Sequence, residues 1–145
     1  MSRHLSRRSF LGIVLLGGAA PLAGGHARAF GNLHARHPLF GEHPEPREGI
    51  DASLVMTDEM VEHLGEDVVE VYRMIRAIPQ VADGIGCYCG CVARPNYRSL
   101  LTCYYEDGMA RGCPICQGEA RLVYRRHTEG QTLAQIRRAV DARYE

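Results

Sequence analysis

The chain contains no lysine and no tryptophan. Its 17 basic side chains are therefore all arginine, and they are balanced by 17 acidic ones over 145 residues. Without lysine there is no Schiff-base nucleophile and no phosphate-loop amine. The first 29 residues lack acid altogether while holding Arg3, Arg7, Arg8 and Arg28. Setting them aside leaves 13 basic against 17 acidic residues, a net charge of −4. Such a balance argues against nucleic acid or an anionic membrane surface as the main partner. No Ser/His/Asp arrangement, phosphate loop or dinucleotide fingerprint is present, so the expectation leans away from an enzyme. The length allows one small domain with a modest core.

What the first 29 residues do contain reads as an address. Ser6-Arg7-Arg8-Ser9-Phe10-Leu11-Gly12 is a twin-arginine pattern, and the weakly polar run Ile13 to Gly25 follows it. Ala27-Arg28-Ala29 supplies the small residues a signal peptidase accepts, giving an expected mature start near Phe30. The run is too short and glycine-rich for a membrane span of about 20 residues. No cysteine at its end offers a lipid acceptor. The expectation is a protein exported by the twin-arginine route to the periplasm or another extracytoplasmic space, with no membrane attachment after cleavage. That route carries folded chains, so thiolates can be loaded with metal in a reducing cytoplasm before export.

Residues 30–50 hold His34, His37 and His43 among Gly and Pro with no apolar period, and are expected as a flexible linker with solvated histidines. From Asp51 to the end, residues 51–145, one helical domain is expected. Thr57 is a candidate N-cap, with Asp58 and Glu59 in the first turn. Met60, Leu64, Val68, Val71, Ile75 and Ile78 trace one helix face, which Gly65 is placed to split and Pro79 to end. A short helix is expected over 79–83. Pro114 suits the start of a helix running to about Glu129, with Gly130 as its stop. Thr132-Leu133-Ala134-Gln135 matches a capping box, opening a last helix with Leu133, Ile136, Val140 and Tyr144 on its apolar face. The fold class is mainly α, wrapped around a loop region rich in cysteine and glycine.

That loop region holds all six cysteines. The order is Cys87-Tyr88-Cys89-Gly90-Cys91, then Cys103, then Cys113-Pro114-Ile115-Cys116. Three uses compete. Disulfides between Cys87 and Cys89, or Cys89 and Cys91, would strain the loop, so a full set with Cys113 and Cys116 also unbridged to each other would join this triplet to the downstream three. Thiol redox chemistry is a second use, since Cys113 at a helix N-terminus would have a lowered pKa; the strand expected before such a motif is missing. Metal binding is the favoured use. Close thiols lose their mutual repulsion when a soft cation sits among them, and thiolates select Cu(I), Zn or iron–sulfur centres. The expected ligands are Cys87, Cys89, Cys91, Cys103, Cys113 and Cys116, around Cu(I) or Zn. A protein partner in metal trafficking is expected with them, and a disulfide or thiol-redox partner module without metal is the alternative. Met109, four residues before Cys113, offers a thioether that packing alone also explains. His127, among arginines, reads as a surface residue.

Cys87 to Cys91, Arg98-Ser99-Leu100-Leu101-Thr102-Cys103-Tyr104, Gly112 to Cys116, and Ile136 to Tyr144 occur in an order that resembles a bacterial family of small exported proteins named for a PCYCGC motif. The resemblance covers about residues 72–145. It implies an exported helical domain with six cysteines and no established reaction. Two departures stand out. Gly86 occupies the place of the motif's proline, and Tyr97 and Met109 stand where the family has histidines, which shifts the expectation towards a sulfur-only site.

Overall fold

Glycine decides where the first helical stretch breaks. In the computed structural model, which describes residues 42–145, Gly65 adopts φ +98°, a conformation L side chains rarely tolerate. Ahead of it lie a single turn, α1 (Asp58–Val61), and a 3-10 turn, Glu62–Leu64; after it runs α2 (Glu66–Ala77). Thr57 precedes α1 in extended conformation, but its hydroxyl does not cap the helix. The break resets the helical register. Val61, Val69, Val71, Tyr72 and Ile75 point into the core, whereas Met60 is 40 % exposed. The single stripe through Met60 presumes a continuous helix; the break leaves Met60 turned outward, while Leu64 and Val68 stay half-buried against the core.

Pro79 opens α3 (Pro79–Asp83), Pro114 opens α4 (Pro114–Thr128), and Thr132 caps α5 (Leu133–Tyr144). The Thr132 hydroxyl accepts from Gln135 N while Gln135 Oε1 accepts from Thr132 N, a complete capping box. Gly130, at φ +78°, terminates α4. The described residues form a mainly helical domain with no strand, only one antiparallel bridge between Val55 and Tyr105. Helix α4 is central, packing on α2, α3 and α5. Residues 84–113 cross between α3 and α4 as loops and 3-10 turns, one of which, Leu101–Tyr104, is wholly buried.

Helix α5 buries only Ile136 and Val140 completely, about 1.5–3 kcal/mol each. Polar contacts supplement them. Arg137 reaches the carbonyls of Gly84 (3.0 Å) and Pro44 (2.7 Å) and the Glu45 carboxylate (3.1 Å). Pro44 and Glu45 belong to a segment, residues 42–50, that falls in the expected linker but is laid along the domain as a strap. Its Arg47 donates to Asp83 from the backbone N–H (2.8 Å) and from the guanidinium. His34, His37 and the expected signal peptide lie outside the described residues.

Candidate metal centre

The cysteine loop is built from three devices. Gly90 at φ +83° turns the chain so that Cys89 and Cys91 can both face inward. The backbone N–H of Tyr88 donates to Glu119 Oε1 at 2.7 Å, pinning the loop to α4. The N–H of Gly86 donates to His43 Nδ1 at 2.9 Å, a bond no proline could make. Because His43 Nδ1 accepts, the proton sits on Nε2, which donates to Asp141 at 2.8 Å. Asp141 also accepts from the Tyr88 hydroxyl at 2.5 Å. His43, read from sequence as a solvated tail residue, is thus fully engaged in holding strap, loop and α5 together. His127 is exposed on α4, as expected.

These devices bring four sulfurs together. Those of Cys87, Cys89, Cys103 and Cys116 all lie within 4.8 Å of one another. Cys87 Sγ is 3.3 Å from Cys89 Sγ and 3.5 Å from Cys116 Sγ. A tetrahedral ion bonded at about 2.3 Å holds its sulfurs about 3.8 Å apart, so the spacing matches the size of such an ion. Cys103 and Cys116 are fully buried, Cys87 is nearly so, and Cys89 is half-buried. None of the six cysteines is disulfide-bonded.

The other two cysteines of the expected set are not among these four. Cys91 Sγ lies against the group, 2.8 Å from Cys89 Sγ and in hydrogen-bond reach of Cys103, and is 3.4 Å from Met109 Sδ. Cys113 caps α4, its sulfur accepting from Cys116 N at 3.5 Å. The helix N-terminus does not make it a low-pKa thiol: burial pushes Cys113 up to about 12, outweighing the Cys116 N–H. Within the group the charge is uneven. Hydrogen bonds from the thiols of Cys103, Cys116 and Cys87 hold Cys89 well below the usual thiol range, while hydrogen bonding to Cys116, and then to Cys87, Cys89 and Cys91, drives Cys103 upward. The lowered thiol is thus the half-buried one of the four, Cys89.

Among the described residues, the sulfurs' hydrogen-bond partners are other sulfurs, the Ser99 carbonyl, the Cys116 N–H and, for Cys87, the Glu119 carboxyl; no arginine is among them. Thiolates gathered there have no hydrogen-bonded arginine among the described residues to neutralise them. A thiophilic metal ion meets that need, and four thiols suit it. The floor is buried: Tyr104 donates to the Cys116 carbonyl at 2.9 Å and its ring meets the equally buried Tyr72 edge-on at 4.8 Å. Low local dielectric strengthens attraction between such an ion and thiolates.

Glu119 escaped the sequence reading. It is fully buried on α4, and its Oε2 has no hydrogen-bond partner among the described residues. Burial pushes its carboxyl up to about 8, against the Cys87 and Tyr88 hydrogen bonds that favour the ionised form. At neutral pH it is therefore mostly a neutral acid, adding no charge beside the thiolates. Replacing Glu119 with glutamine should then cost less than about 1 kcal/mol of stability, because the amide keeps an acceptor for Tyr88 N–H. Glu119→Ala should cost about 2–3 kcal/mol, from an orphaned buried donor and a cavity. Urea denaturation of both variants checks this; equal losses would mean that Glu119 acts by volume alone.

No family model matches the chain, and neither a curated protein nor a solved structure matches it.

Proposed function

We propose that this is an exported protein that binds a soft metal ion through cysteine thiolates, Cu(I) for handling or storage, or Zn as a structural ion. The observation that carries the reading is the group of four sulfurs from three separate parts of the loop region and α4, within 4.8 Å of one another and mostly buried. Holding that many thiols so close costs mutual repulsion once any of them ionise. A bound cation removes the cost and turns it into affinity. Export rests on the twin-arginine pattern and the small residues at 27–29, and the likeness to the PCYCGC family belongs to the same proposal.

The reading is tested on protein produced through its own export route and purified under reducing conditions. Elemental analysis should find about one equivalent of metal or more, with thiols that titrate only after chelation. Cys89→Ser should lower that ratio, since Cys89 is both a member of the group and its most accessible sulfur. Metal-free protein with no titratable thiols would instead mark a disulfide module and remove the proposal.

A further inference from the structure

The four-cysteine group leaves two neighbouring sulfurs unexplained. Cys91 Sγ lies 2.8 Å from Cys89 Sγ, and Met109 Sδ lies 3.4 Å from Cys91 Sγ. A methionine that only filled the loop would be buried. Met109 instead leaves 38 % of its surface in solvent while keeping its sulfur against Cys91. The three sulfurs thus form a chain of contacts from a partly exposed thioether, through buried Cys91, to half-buried Cys89, which already belongs to the four-cysteine group.

Resting on the metal-binding reading above, the geometry points to a second soft-metal position, formed by Cys89, Cys91 and Met109, that takes monovalent Cu(I) at the surface and shares the Cys89 thiolate with the four-cysteine site. The donor set selects the ion. Zinc draws its ligands from thiolate, imidazole and carboxylate, whereas a neutral thioether beside two thiolates suits Cu(I). Cys89 is placed to bridge, with Cys87 Sγ at 3.3 Å on one side and Cys91 Sγ at 2.8 Å on the other. Each thiol releases its proton as the ion binds, so two thiolates and one Cu(I) leave the outer position with a single negative charge, shared with the inner ion through Cys89. Cys91 is itself buried, but Met109 is 38 % exposed and Cys89 half-buried, whereas Cys103 and Cys116 are fully buried. An arriving ion meets the outer position first, and an ion held there is the one a partner can reach.

The experiment titrates the full chain, reduced and metal-free, with Cu(I) against a chromogenic Cu(I) chelator, counting bound ions by native mass spectrometry. A parallel titration uses Zn alone. Wild type should retain two Cu(I) but one Zn. Met109→Leu, which preserves side-chain volume at a partly exposed site, should weaken the second Cu(I) at least tenfold and leave the Zn count unchanged. Cys91→Ser should do the same. Equal Cu(I) counts and affinities in wild type and Met109→Leu would overturn the outer position while leaving the four-cysteine reading intact. Wild type that retains neither Cu(I) nor Zn would overturn that reading as well.

Discussion

Cys116→Ser should abolish tight metal binding, while Cys113→Ser, three residues away, should leave the metal-to-protein ratio unchanged. The two residues share a helix turn and a motif but not a role. Cys116 is fully buried, its sulfur 3.5 Å from Cys87 Sγ, and it is the only member of the four-sulfur group supplied by a regular helix. Its backbone is further fixed by the Tyr104 hydroxyl on its carbonyl. A structural four-ligand zinc site is worth about 10–16 kcal/mol, so one thiolate's share is ~2.5–4 kcal/mol, roughly a 10²- to 10³-fold loss in affinity. Cys113 supplies an N-cap acceptor to Cys116 N, and serine is among the best residues for that position. The substitution therefore keeps α4's first turn. Competition against a chelator of known affinity reads both variants; equal losses would mean that Cys113 is a ligand and that the group reorganises around it.

The contrast also shows which parts of the molecule could be read from sequence. Helix α3, the start of α4 and the whole of α5 were legible because their signals are local: a proline at the first position, a capping box, a terminating glycine. The meeting of cysteines was legible as a composition but not as a geometry. Which four sulfurs converge depends on pairs 29 residues apart, such as Cys87 and Cys116. Glu119 had a signal that went unused. Cys116, Glu119, Ala120 and Val123 are the buried residues of α4, spaced i, i+3, i+4 and i+7. Once Cys116 is taken as inward-facing, helical geometry puts Glu119 on the same face. The strap could not be read, because nothing local distinguishes His43 and Arg47 from solvated loop residues. Their partners, Gly86 and Asp83, are 43 and 36 positions away.

Asp83 carries the second large expected effect, on stability rather than on metal. It is a fully buried carboxylate at the end of α3, four residues before the first cysteine. Arg47 donates to it from backbone and side chain, Arg98 at 2.8 Å and the buried Ser99 hydroxyl at 3.0 Å. Removing one partner of a buried ion pair costs about 3–5 kcal/mol. The Arg47 and Arg98 side chains are 41 % and 38 % exposed and can rehydrate, so Asp83→Ala should fall near the lower figure, about 3 kcal/mol. That is a large share of the roughly 5–15 kcal/mol a domain possesses. The strap, anchored by Arg47, should loosen first. Burial alone would push the Asp83 carboxyl upward, but the Arg47 and Ser99 hydrogen bonds outweigh it and hold the carboxyl below its ordinary value. A folded-state pKa depressed in this way contributes stability above the unfolded value of about 3.9 and loses it as pH falls through the folded value. The stability gap between wild type and Asp83→Asn, which keeps shape without charge, should therefore be widest near neutral pH. It should narrow as pH is lowered from about 5 towards about 2. Taking the difference between the two proteins at each pH cancels the loss of metal in acid, which affects both. A gap that stays constant across that range would mean that the contacts, not the charge, hold the strap to α3.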